Sequence, residues 1–256
     1  AALAGLPLAF LVHQALLWLG RRRPTAARAA SLLLVVTCLG GRTLERRATE
    51  LAGHAQAADL AGARALLPWL VGREPQALDL EGAVRAGLES VAENLVDAQV
   101  ATFFWWVLGG VPLAVAHRAV NTLDAMVGTK TPRYRRFGWA AARADDLANF
   151  IPARLTALGV ALLAPTVGGS PRRCLQAVLR DAGSHPSPNA GVAEAAFAGA
   201  LGVRLGGRTV YPCGVEDRPV LGEGTVPTAA DLLRAVRLAR RVGAGAALGA
   251  ALGRWG

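Results

Sequence analysis

From Ala98 to Ala116 the chain carries no charge, yet midway it reads Gly109-Gly110-Val111-Pro112. Two glycines stop a helix, and a proline in the first turn of the next costs nothing because its missing N–H would be unbonded there anyway. The segment is apolar enough for a bilayer, where every backbone group must be satisfied within a helix. It is therefore expected to fold as a helical hairpin turning at Gly109-Gly110. At about 1.5 Å per residue, Asp97 lies roughly 18 Å and Glu93 about 24 Å from the turn on one arm, with Asn121 roughly 15 Å and Asp124 about 18 Å from it on the other. A hairpin sets these four groups level; a straight spanning helix would set them on opposite sides.

Four more apolar runs accompany it, Leu3–Gly20, Ala26–Gly41, Leu155–Gly169 and a weaker Val242–Leu252. A spanning helix takes about 20 apolar residues, so each is short, and tilted, interfacial or re-entrant segments are expected among them. Hydrophobic residues make up 53% of the chain and charged ones only 18%, against roughly a quarter in soluble domains. The fold class expected is all-α: a polytopic helical membrane protein, a single domain over residues 1–256, with a polar loop region at 170–227. Thr43–Leu67 reads as an amphipathic helical region, and Asp79 or Leu80 starts the next helix. A short helix is expected at Gly191–Leu201, and Thr228 with Asp231 has the spacing of a capping box for a helix towards Arg241. Strand patterning is confined to a few residues near Arg208–Tyr211.

The formal charge of +10 comes almost wholly from arginine, Lys130 being the only lysine. The arginines end apolar runs, as in Arg21-Arg22-Arg23, Arg172-Arg173 and Arg240-Arg241. That placement suits phospholipid headgroups and orientation signals, and not a nucleic-acid groove. Lipid bilayer is thus an expected partner and nucleic acid is not; oligomerisation is left open. Cys38, Cys174 and Cys213 show no metal or disulfide spacing and read as reduced, buried thiols. The chain starts at Ala1 and is apolar from there, so an upstream segment is expected to have been lost.

Polar groups concentrate between Leu88 and Arg154. Glu89, Glu93 and Asp97 fall at i, i+4 and i+8, one face of a straight helix, with Asn94 beside them. Asn121 and Asp124 form a second pair, and Asp145, Asp146 and Asn149 a third. Ionisable groups beside membrane segments are costly and by default mark function. The basic loop between the second and third groups holds Lys130, Arg133, Arg135, Arg136 and Arg143. Acids that hold magnesium beside arginines that hold phosphate are what transfer from a nucleotide requires; a solvated stripe, helix-dipole acids and orientation charges are the plainer alternatives. Further on, His185-Pro186-Ser187-Pro188-Asn189 stiffens a turn before a helix whose N-terminus, with Glu194, offers an anion site. His185 reads as a ligand or an acid–base group.

The strings Glu89–Asp97, Gly109–Pro112, Ala119–Gly128, Arg133–Ala140, Asp145-Asp146, Ile151–Leu155, His185–Gly191 and Ala200–Gly207 together resemble the CobD/CbiB family of cobalamin biosynthesis, membrane-bound adenosylcobinamide-phosphate synthases. They run in family order from about Arg42 onward. Thr129 and Thr131-Pro132 depart from the pattern, marking that loop as tolerant of change, and the family's first apolar segment with its Gly-Asp-Pro and His-Pro motifs is missing. The resemblance implies an ATP-dependent ligase that joins the free propionate of adenosylcobyric acid to aminopropanol or its O-phosphate, at the cytoplasmic face of the cell membrane, with corrinoid and amino alcohol as substrates and ATP and Mg²⁺ as cofactors. Glu89, Glu93, Asp97, Asn121, Asp124 and His185 are then the expected catalytic residues. Asn94, Lys130, Arg135, Arg136, Asp145, Asp146, Asn149, Ser187 and Asn189 are the expected substrate-binding ones, with Glu93, Asp97 and Asp124 on the metal. A membrane sensor without catalysis and a transporter are the competing classes. The transporter is disfavoured because the polar groups cluster at one level instead of lining a path.

Overall fold

Caps and prolines decide where the helices begin. In a computed structural model, which describes residues 5–127, 137–211 and 214–255, ten α-helices and one two-stranded sheet are found among the described residues. Helix α1 runs Gly5–Arg22 and α2 Pro24–Cys38, its proline in the first turn. The amphipathic region divides into α3 (Gly41–Gln56) and α4 (Leu60–Leu66), broken where Ala58 takes φ 54°. Asp59 caps α4 by accepting from the Gly62 N–H at 2.9 Å, and Asp79 caps α5 (Leu80–Leu95) by accepting from the Gly82 N–H at 2.8 Å. After α5 come a π-helical turn, Val96–Val100, and α6 (Ala101–Val127). The remaining elements are α7 (Phe137–Leu163), α8 (Pro171–Asp181), α9 (Ala190–Leu201), β1 (Leu205–Tyr211), β2 (Gly214–Leu221) and α10 (Ala229–Trp255). At the start of α10 Thr228 and Asp231 form the reciprocal box expected of them: Asp231 Oδ2 accepts from the Thr228 N–H at 3.0 Å, and Thr228 Oγ1 from the Asp231 N–H at 3.3 Å. The weak fifth apolar run is simply the end of this helix.

Among the described residues three stretches are long and apolar enough to cross a membrane: Pro24–Gln56, Leu80–Met126 and Gly138–Val167. The chain reads as a polytopic helical membrane protein, and large apolar side chains stand outward on α1 (Leu6, Phe10, Leu11) and α2 (Leu32, Leu33, Val36).

Inside α6 the backbone leaves the helix at Gly109 (φ −142°, ψ 20°) and Gly110 (φ 69°, ψ −162°). The point where a Cβ on Gly40 would sit is 3.3 Å from Ala98 Cβ and 3.7 Å from Arg118 Nη2. Those two residues are therefore within about 7 Å of each other, where a straight helix would part them by about 30 Å. Trp105 and His117, on opposite sides of the glycines, likewise reach adjacent residues of α7, Ala148 and Asn149. The chain turns back here, as the Gly-Gly-x-Pro string requires.

The chain divides into two compact units, one of residues 1–40, 97–152 and 246–256, the other of 41–96 and 153–245. In the first, α1 and α2 pack on each other and on α6. In the second, α9 is buried along its whole length against α8, α5 and both strands. The stretch 170–227 was expected to face water around one short helix; it holds α8, α9 and an antiparallel hairpin. Ala and Gly in α9 permit close approach: a Cβ on Gly199 would run into the Arg173 carbonyl oxygen of α8. The hairpin pairs Gly207 with Arg218 and Val210 with Val215, with an irregularity between Leu205 and Gly207. Its period-2 signal is hidden by Gly206-Gly207 and by the consecutive charges Glu216-Asp217-Arg218 within β2. Cys38 and Cys174 are buried and unpaired, and burial pushes the Cys174 thiol up to about 12.

Candidate functional site

In the unit of 41–96 and 153–245, a charged cluster is enclosed by apolar helix. Glu89, on the buried face of α5, is 2% exposed. Its Oε1 accepts from the Gly206 N–H at 2.7 Å, its Oε2 pairs with Arg73, and Arg218 Nη1 lies 3.8 Å from the same oxygen. Arg85, one turn earlier on α5, reaches instead towards the Arg208 carbonyl at 3.4 Å. From β2, Arg218 also extends Nη2 to within 3.5 Å of Glu194 Oε1 on α9, and the same nitrogen bonds His185 Nε2. Glu194 is 1% exposed; burial first, then the negative charge of Glu89, push its carboxyl well above the usual range.

The Arg218 contact decides the tautomer of His185. A guanidinium has only hydrogens to offer, so Nε2 accepts from Arg218 and the ring proton is assigned to Nδ1, 3.0 Å from the Ser187 carbonyl oxygen; the Ser187 N–H stands at the same distance from Nδ1. Burial, then the Arg218 charge, hold His185 below its ordinary value and keep it neutral. Its one lone pair is therefore occupied. Beside it, Ser187 Oγ accepts from the Asn189 and Ala190 N–H groups at the start of α9, and Asn189 Oδ1 accepts from Arg154 Nη1 at 2.9 Å.

In the unit of 1–40, 97–152 and 246–256, a chain of side chains joins the return arm of the hairpin to α7. Arg118 Nη1 donates to Asn121 Oδ1 at 3.2 Å, and Asn121 Nδ2 to Asp145 Oδ1 at 3.1 Å. Asn149 Nδ2 donates to Asp145 Oδ2 at 3.0 Å, leaving Asn149 Oδ1 to accept from His117 Nε2 at 2.9 Å. Asp146 forms a longer ion pair with Arg143, at 3.8 Å. Asp97 and Asp124 are half-buried in this unit.

Glu89, Glu93 and Asp97 do not share one environment. Glu89 is buried, Glu93 exposed and Asp97 half-buried; Glu89 and Glu93 lie one turn apart on α5, and Asp97 follows in the π-helical turn at Val96–Val100. Asn94 spends its amide hydrogens on the Ser90 carbonyl of its own helix, at 3.0 Å. Among the described residues no group of three or more His, Cys, Asp or Glu side chains is gathered to hold a metal. Magnesium that arrives on nucleotide phosphates needs only one or two carboxylates. Lys130, Arg133, Arg135 and Arg136 lie outside the described residues. Arg73, Arg218 and His117 had no local signal in the sequence, since what marks them is a partner far away along the chain.

The family model described as CobD/Cbib protein matches residues 1–239. The chain is 53% identical over 229 residues to the cobalamin biosynthesis protein CobD of Mycobacterium tuberculosis (strain ATCC 25618 / H37Rv), covering 90% of this chain and 72% of the relative. It is 47% identical over 204 residues to the protein of the same name from Geobacter metallireducens, covering 80% of this chain and 64% of the relative. With that of Rhodobacter capsulatus it shares 50% over 193 residues, 75% of this chain and 60% of the relative. No solved structure matches the chain.

Proposed function

Because the chain belongs to the CobD/CbiB family of cobalamin biosynthesis, we propose that it is an ATP-dependent carbon–nitrogen ligase joining the free propionate carboxylate of adenosylcobyric acid to aminopropanol or its O-phosphate. A carboxylate does not condense with an amine unaided. The carboxylate oxygen would first take the terminal phosphoryl group of Mg-ATP, releasing ADP; the amine nitrogen would then attack the acyl carbon, and phosphate would leave. The observation that carries the proposal is the enclosed cluster of Glu89, Arg73, Arg218, His185 and Glu194. Charges buried this deeply are costly unless matched, and clusters with displaced protonation are the common mark of an active site.

Two arginines suit the anionic acyl phosphate, and a neutral His185 held by Ser187 suits a positioning role. The chain Arg118–Asn121–Asp145–Asn149–His117 supplies a second set of oriented donors. Mg²⁺ would be brought by the nucleotide, and the protein would lie in the cell membrane with the site open to cytoplasmic ATP. The test is incubation of the detergent-solubilised protein with ATP, Mg²⁺, corrinoid and each amine. ADP and phosphate released in step with amide are expected. No corrinoid-dependent ADP release would overturn the proposal, and AMP with pyrophosphate would replace the acyl phosphate by an acyl adenylate.

A further inference from the structure

Within the buried cluster, two polar atoms of opposite sense lack a hydrogen-bond partner: the acceptor Glu194 Oε2 and the donor Arg73 Nη1. Leaving a charged group's hydrogen-bonding capacity unmet in the interior is costly, so such atoms point to something that binds there. Glu194 is the one charged side chain on α9, whose other residues are all apolar or glycine. Its Oε1 is shared with Arg218, and Oε2 is free. His185 offers no alternative acceptor, because its lone pair is taken by Arg218. Gly206, which bonds Glu89, also lines a small pocket together with Arg85, Arg204 and Val220.

We propose that Glu194 Oε2 is the atom that receives an N–H of the amine substrate and takes its proton, with Arg73 Nη1 donating to an oxygen of the same small molecule. This rests on the ligase reading. In the step, one N–H bond of the substrate's ammonium breaks and an O–H bond forms on Oε2. The electron pair left on nitrogen forms the bond to the activated acyl carbon, the departing phosphate keeps the electrons of the broken C–O bond, and the nitrogen's second surplus proton leaves on that phosphate. The charged and titratable groups facing Glu194 are Glu89 and Glu93 from α5, Arg73 from the segment before it, Arg218 from β2 and His185 from the turn before α9. Burial together with Glu89 raises the proton affinity of Glu194, the direction a proton acceptor for an amine needs.

Calorimetric binding to the detergent-solubilised chain tests this with aminopropanol and with propanediol, the same skeleton without the amine. Wild type should prefer the amine by at least about tenfold, the scale of one good charged hydrogen bond. Glu194→Gln should abolish the preference, and Glu50→Gln, on α3 and paired with Arg46 and Arg47, should leave it within about twofold of wild type. Glu194→Asp, which keeps the charge on a shorter arm, should fall between them and serves if the glutamine variant does not fold. An undiminished preference in Glu194→Gln, or an equal loss in Glu50→Gln, overturns the inference. Amine preference dependent on Glu194 without corrinoid-dependent turnover would leave the inference standing and remove the ligase reading; turnover without that preference would do the reverse.

Discussion

Both carboxylate oxygens of Glu89 are committed, one to the Gly206 N–H and the other to Arg73, with the Glu89 and Arg73 side chains only 3% and 4% exposed. Removing one partner of a buried ion pair leaves the other charged and unsolvated, which costs about 3–5 kcal/mol. Arg73→Ala should therefore lower the unfolding free energy by about that amount, read by denaturant titration in detergent. Glu89→Gln, which keeps an oxygen for Gly206, should cost less; a loss under about 1 kcal/mol for Arg73→Ala would mean the cluster is open to water. His185 carries a pH signature of its own. Burial, then Arg218, depress its proton affinity in the folded protein, so below about pH 6.5 the unfolded chain binds a proton that the folded chain refuses. Its contribution to stability is complete above that pH and declines as the pH falls from there towards the folded value. Between pH 7.5 and 5.5 the wild-type melting temperature should drop more than that of His185→Asn. Glu194 titrates with the opposite sign and is present in both proteins.

At the level of elements, the turn at Gly109-Gly110 is the feature with the sharpest consequence. Gly110 sits at φ 69°, ψ −162°, a region in which a Cβ costs of order 1–3 kcal/mol. Gly110→Ala should destabilise the protein by about that much, in a thermal scan, while alanine at neighbouring Val111 should not show the same backbone penalty. The turn also predicts that single cysteines at Asp97 and Asp124, on a background lacking Cys38, Cys174 and Cys213, are labelled from the same face of sealed vesicles. Opposite accessibility would sink the hairpin and the cytoplasmic assignment that rests on it. This element was legible in the sequence because glycine and proline act locally, as were the Asp79 cap and the Thr228–Asp231 box. The π-helical turn at Val96–Val100 was not, since VDAQV is compatible with plain α-helix; nor was the difference in burial between Glu89 and Glu93, one turn apart on α5. The partners of Glu89 stand 16 and 117 residues away in Arg73 and Gly206, and no periodicity reports a contact of that kind. The β-hairpin escaped for another reason, its ladder being interrupted by Gly206-Gly207.

For the molecule as a whole, three apolar helical stretches and arginines at their ends predict that alkaline carbonate washing leaves the protein in the membrane fraction; release into the wash would contradict a spanning topology. The two units carry their polar clusters in different surroundings, one in helix compatible with lipid, the other under α9. That helix is covered along all twelve of its residues. Its backbone amides have no local route to solvent, so deuterium should enter them only when the surrounding unit opens globally. In exchange followed by mass spectrometry, Ala190–Leu201 should be among the last segments to gain mass, and its rate should report the stability of everything packed around it.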